Sequence, residues 1–300
     1  MAAGGSKKVI VISLIANFSI ALAKLFGSFY TSSSALMSEA IHSFSDCCNQ
    51  ILLLYGGYAA KKGISEKYPL GQDKEIFFWS FIVAFLLFTM GGVFSIKEGI
   101  HKILHPHPLS HPHVGVIILV IGILLEGYSF YACFLEVKQE KKKKSLWHWI
   151  KKTHSADLLV IFLEDFAALA GLVLALVALG LSWYTGDAIW DGIGSVVIGI
   201  FLVITAWILA VELRPMLIGE RASKEYQDQL ESVLEEYLPG AKFLNFISLQ
   251  QGIKAVMLAY KVKPQQVNAD TIKQLNNFEE KVKELFPEVK WQFAEIDNKD

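Results

Sequence analysis

Of 300 residues, 53% are hydrophobic and only 19% charged, the mean hydropathy is +0.40, and the formal net charge is -1. This is too apolar for an ordinary water-soluble globule of its length, so a bilayer is the expected solvent. Cys47, Cys48 and Cys133 form no CxxC arrangement, which argues against both a disulfide framework and a thiolate zinc site.

A spanning helix needs about 20 mostly apolar residues, because the hydrocarbon core is about 30 Å thick and a helix rises about 1.5 Å per residue. Six stretches qualify in chain order: Val9 to Tyr30, Ala35 to Tyr58, Ile76 to Ile96, Val114 to Glu136, Leu158 to Tyr184 and Ile189 to Val211. The first is longer than a signal-peptide core and shows no cleavage site before Ser32, so it is expected to be retained. Lysines segregate between the spans. Lys7 and Lys8 precede the first, Lys61, Lys62, Lys67 and Lys74 follow the second, and Lys138, Lys141 to Lys144, Lys151 and Lys152 follow the fourth. The alternate loops hold only Lys97 and Lys102. The positive-inside rule therefore predicts a multi-pass protein with both termini and the basic loops in the cytoplasm. The lysine run at 141–144 reads as a solvated loop able to touch anionic lipid, and no nucleic-acid partner is indicated.

The second span is not uniformly apolar. Glu39, His42 and Asp46 recur at i, i+3 and i+7, one face of a helix, and Asn49 and Gln50 extend the stripe. Such a stripe either ties helices together by hydrogen bonds or holds an ion. Burying ionisable groups in lipid costs several kcal/mol, about 3 by insertion scales, which favours the ion. The fifth span adds Glu164 and Asp165. Neighbouring helix positions point about 100° apart, so the two acids do not act as one bidentate pair. Asp165 facing Asp46 and His42 gives a mixed nitrogen and oxygen site compatible with zinc, manganese, iron or cobalt, with Glu164 as a proton carrier or hydrogen-bond acceptor.

Two further clusters have plainer readings. The segment from Ile100 to His113 holds five of the eight histidines, but its three prolines suit a stiff turn better than a metal trap. Asp187 and Asp191 open the sixth span, where they either guide cations at the mouth or cap the helix.

A change of character at Arg214 divides the chain into a transport domain, 1–214, and a soluble domain, 215–300. In the latter, Ser223 is expected to cap a helix ended by Pro239 and Gly240, followed by strands at Phe243 to Leu249 and Ala255 to Val262 turning at Gly252. A second helix, Ala269 to Phe286, and a last strand, Val289 to Ile296, complete an α-β-β-α-β order and hence a small α+β sandwich.

Several segments together resemble the cation diffusion facilitator family over nearly the whole chain. These are Asn17 and Lys24, the run from Ser34 to Asp46, the loop Tyr68-Pro69-Leu70-Gly71-Gln72-Asp73-Lys74-Glu75, and Leu217-Ile218-Gly219-Glu220. The resemblance implies a proton-coupled antiporter exporting a divalent cation, usually zinc, as a homodimer with a cytoplasmic ferredoxin-like domain. The metal is then transiently bound cargo, with no resident cofactor. Site residues that carry over are His42, Asp46 and Asp165. Ile161 stands where the family places a fourth ligand, and Leu163-Glu164-Asp165 is similar to a sub-branch lacking that ligand, so water, Glu164, Glu39 or Asn17 is left to complete the coordination. No His or Cys follows Met216, so no structural zinc is expected in the soluble domain.

Export of manganese, iron or cobalt by the same fold, and a non-transporting membrane scaffold or metal-binding subunit, are the alternatives. An enzyme is not expected, because the sequence contains no HExxH, GxSxG or Ser/His/Asp array.

Overall fold

The computed structural model describes residues 7–142, 145–222, 224–267 and 270–297. No proline occurs before Pro69, and helices α1 (Lys7–Thr31) and α2 (Ser34–Ala59) run unbroken on either side of a tight turn. Ser32 takes a left-handed backbone there, and the Ser33 hydroxyl accepts a hydrogen bond from Leu36 N at 3.1 Å, capping α2. The third span is continuous over Glu75–Leu104 but not uniform. It comprises α3 (Glu75–Leu86), a π-helical stretch (Leu87–Val93) and α4 (Phe94–Leu104). Then come α5 (Pro112–Lys141), with proline in its first turn, a short α6 (Leu146–Lys152), α7 (Ala156–Thr185) and α8 (Ile189–Ile218).

The third-span helix, α5, α7 and α8 are each 30 residues and apolar enough to cross a membrane; α1 and α2, at 25 and 26 residues, complete the six expected long helices. The helices overrun the expected spans, most at Leu104 and Ile218, because helical hydrogen bonding continues past the apolar window. The short α6 was not anticipated; its seven residues are too few to show a period.

The chain forms two compact units. The first holds the residues up to Gly56 together with Phe78–Leu213. Within it α5 packs along α7 and α1. A buried cluster of Ala35, Leu36, Leu119, Ala167, Leu172, Ala175, Leu179, Ile198 and Leu202 joins α2, α5, α7 and α8. Small residues bring backbones together where the third span crosses α8: a Cβ at Gly99 would lie 2.6 Å from the Gly192 carbonyl oxygen, and one at Gly199 would lie 2.8 Å from that of Gly92. Large apolar side chains such as Leu124, Tyr128 and Trp207 point outward, as a lipid-facing surface requires.

The second unit combines Gly57–Phe77 with Arg214–Asp300. It contains α9 (Lys224–Tyr237), β1 (Lys242–Gly252), β2 (Ala255–Lys263), α10 (Thr271–Leu285) and β3 (Val289–Ile296), the expected α-β-β-α-β order. The sheet order is β1-β2-β3, with β1 antiparallel to β2 and β2 parallel to β3 across the α10 connection. Leu230, Leu234, Leu258, Tyr260, Phe278 and Val282 fill its core. The expected cap Ser223 and helix start Ala269 lie outside the described residues, as do Lys143 and Lys144 of the lysine run. The β1–β2 hairpin reaches Gly252, three residues beyond the expected strand end, because the ladder continues through a register shift between Gln250 and Gly252. The segment between α2 and α3 carries the Tyr68–Glu75 run that resembles the family. It docks on this unit, with Lys290 of β3 paired to Asp73 at 2.7 Å and Gly252 lying against Asp73 with no room for a Cβ.

Candidate metal centre

The polar stripe of α2 faces inward. Glu39, His42, Ser45 and Asn49 are wholly buried, and Asp46 is nearly so. His42 Nδ1 and Asp46 Oδ1 approach to 3.6 Å across one helical turn. Opposite them, Asn49 donates from Nδ2 to Glu164 Oε1, and the Glu164 carboxylate is near enough to Asp46 to interact with it electrostatically. Across from His42 the third span is π-helical: a Cβ on Gly91 would stand 3.8 Å from His42 Nδ1. Sequence reading missed this feature. An extra residue per turn leaves no periodic signal, and only the Gly91-Gly92 pair hinted at close approach.

The sequence expectation places Asp165 opposite His42 and Asp46. Asp165 does not join His42 and Asp46; it accepts a hydrogen bond from Ser129 Oγ of α5 at 3.2 Å, and the adjacent Glu164 takes the inward position. The roughly 100° between consecutive helix residues allows only one of the two acids to face α2. Among the described residues no three His, Cys, Asp or Glu side chains gather closely enough to hold a metal ion, so the three-ligand set is not assembled in this conformation.

A second polar layer lies beside the first. Lys24 of α1, fully buried, donates to Ser43 Oγ at 2.7 Å and pairs with Glu39 Oε2 at 3.5 Å and Glu126 Oε1 at 4.0 Å. Glu39 rests against Gly171, where a Cβ would come within 2.3 Å of its Oε1. Glu39 is thus engaged by a lysine rather than aimed at the His42 pair. Asn17 is half-buried on α1, two turns before Lys24 and on the same face.

Asp191 does not serve an open mouth. It is completely buried and accepts from Ser33 Oγ at 2.6 Å, Ser34 N at 2.6 Å and Ser34 Oγ at 3.0 Å, capping α2 from α8. Asp187 caps its own helix through Ile189 N at 2.9 Å. In the histidine-rich turn the His111 ring stacks on Tyr30 at 4.8 Å and Ser110 N donates to Thr31 O at 2.9 Å, contacts that fix a turn.

What the stripe can do chemically follows from its unmet acceptors. Both carboxylate oxygens of Glu39, both ring nitrogens of His42, Ser45 Oγ, Asp46 Oδ1 and Asn49 Oδ1 are buried without a hydrogen-bond partner among the described residues. Buried polar atoms are normally satisfied, and a run of unsatisfied nitrogen and oxygen atoms on one helix face is suited to a cation or to protons.

Residues 10–218 match the family model described as the cation efflux transmembrane domain. The chain belongs to the cation efflux family. This cation efflux protein is 32% identical over 217 residues to metal tolerance protein C4 of Arabidopsis thaliana, covering 71% of the chain and 47% of that protein. It is 29% identical over 233 residues to the human proton-coupled zinc antiporter SLC30A9, mitochondrial, covering 77% of the chain and 41% of the relative. It is 26% identical over 207 residues to the probable zinc transporter MSC2 of Saccharomyces cerevisiae, covering 69% and 27%. The chain therefore spans less than half the length of these relatives.

Proposed function

We propose that the protein exports a divalent cation, zinc first, in exchange for protons. The cation is held by His42 and Asp46 of α2 together with one acid of α7. The observation that carries this reading is the file of buried nitrogen and oxygen atoms from His42 to Asn49 that have no hydrogen-bond partner among the described residues, beside Glu164. The printed names of the human and yeast relatives, a proton-coupled zinc antiporter and a probable zinc transporter, favour zinc over manganese, iron or cobalt.

Glu164 is the acid near Asp46 in this conformation, and a turn of α7 by about 100° exchanges it for Asp165. That exchange would complete the His42, Asp46 and Asp165 set in one state and break it in another, which is what alternating access requires. Metal ligands must be deprotonated to bind, and imidazole titrates near neutrality in water, about 6.5, so protons entering from the release side displace the cation. The proposal includes a homodimer with both termini in the cytoplasm, the latter supported by the lysine asymmetry of the loops.

The test is metal uptake into proteoliposomes under an imposed pH gradient, comparing zinc, manganese, iron, cobalt and cadmium. Zinc movement that collapses with the gradient, and is lost in His42→Ala, Asp46→Ala and Asp165→Ala, is the expected outcome. Flux indifferent to pH sinks the antiport. No flux of any metal sinks transport and leaves the scaffold reading.

A further inference from the structure

Between the ends of α5 and α7, around α6, lies a cavity of about 350 Å³ that the transport reading does not use. Its walls are basic: Lys141, Lys142, Lys152, His148 and His154 line it, together with Trp149. Glu140 also lines it, but one of its oxygens, Oε1, already accepts a hydrogen bond from Thr153 Oγ1 at 2.8 Å. A cation is a poor occupant for such a lining, and no three His, Cys, Asp or Glu among the described residues gather there as ligands.

One observation points to a ligand that accepts hydrogen bonds, and a second to a membrane interface beside it. Trp149 is 4% exposed, and its indole Nε1–H, a donor with no acceptor function, is buried without a partner among the described residues. Its ring meets Phe162 of α7 edge-on, with the centroids 5.8 Å apart, which anchors the indole against α7. On the outer side of α6, Trp147 is exposed with Lys151 Nζ 4.9 Å from its ring centroid, the amphipathic pairing found where a helix lies at a membrane interface.

We infer that this cavity binds a phosphate-bearing anion, the headgroup phosphate of an acidic phospholipid or a soluble phosphate, through Lys142 and Lys152 with the Trp149 indole N–H as a directed donor. Ammonium groups supply the charge, and a phosphate oxygen satisfies the indole. The position at the ends of two spanning helices suits the lipid source.

The experiment is native mass spectrometry of the full chain in detergent, titrated with phosphatidylglycerol, phosphatidic acid or phosphatidylcholine, with and without millimolar inorganic phosphate. The two acidic lipids are expected to be retained over phosphatidylcholine. Retention is expected to fall about fivefold for each lysine neutralised in Lys142→Gln and Lys152→Gln. Trp149→Phe, which keeps the ring and removes the N–H, is expected to weaken it as well. Retention that survives inorganic phosphate identifies the lipid, and displacement by it identifies a soluble phosphate. Equal retention of all three lipids with no effect of inorganic phosphate overturns the proposal, as does wild-type binding by either the lysine double variant or Trp149→Phe.

Discussion

The helical unit buries two polar clusters along α2, and they are built to opposite ends. At the helix start Asp191 reaches over from α8 and accepts three hydrogen bonds from Ser33 and Ser34. Two turns further on, Glu39, His42, Asp46 and Asn49 are enclosed too, yet most of their nitrogen and oxygen atoms have no hydrogen-bond partner among the described residues. A satisfied buried carboxylate holds helices together. An unsatisfied one lowers stability and is kept where something that comes and goes must be bound. The same residue types therefore report fixed architecture in one place and, in the proposed reading, an exchangeable cargo in the other.

The sharpest way to break this comparison is to remove one member of each cluster. His42→Ala and Asp46→Ala are expected to cut zinc flux by more than about a hundredfold while shifting the thermal midpoint less than Asp191→Ala does, because most of the lost nitrogen and oxygen atoms make no hydrogen bond among the described residues. Asp191→Ala is expected to destabilise the protein by about 3 kcal/mol, since Ser34 N–H is then buried without an acceptor. Parallel melting curves and proteoliposome fluxes measure both; equal unfolding by the two kinds of variant would erase the distinction. Gly99→Ala comes next. Its Cβ would press on the Gly192 carbonyl at 2.6 Å, and separating the third span from α8 should cost about 1–3 kcal/mol, read as a lowered midpoint.

The second unit supplies the smaller effects. Lys290→Ala removes a partly exposed pair with Asp73 and should cost no more than about 1 kcal/mol, but it frees the α2–α3 loop from β3, which hydrogen exchange over Gly57–Phe77 would detect. Smallest is a pH effect at Glu279 of α10. Partial burial pushes its carboxyl above the usual range, only partly offset by Lys283. The folded state therefore holds this proton more tightly than the unfolded one, so its contribution is present below the unfolded pKa and is lost as pH rises through the raised folded value. Glu279→Gln should flatten that decline slightly, seen as a midpoint less sensitive to pH just above the ordinary carboxylate range.

Much of this was legible in residue order. Six long helices follow from apolar runs and proline placement, and the α-β-β-α-β order follows from periods of 3.6 and 2 residues punctuated by Pro239, Gly240 and Gly252. The stripe at Glu39, His42, Asp46 and Asn49 was legible because one helix face is a local property, fixed by spacing alone. The partners across the stripe were not. Whether Glu164 or Asp165 faces α2 depends on the rotation of α7, which α5 and α2 decide together through Ser129 and Asn49. The π-helical stretch beside His42, the burial of Asp191 under Ser33 and Ser34, and the engagement of Glu39 by Lys24 likewise depend on residues 15 to 158 positions apart in the chain. Sequence alone determined the solvent, the helices and the polar face, since these rest on composition and short-range periodicity; the tertiary structure decided which buried charge meets which partner, since that rests on how whole helices turn against one another.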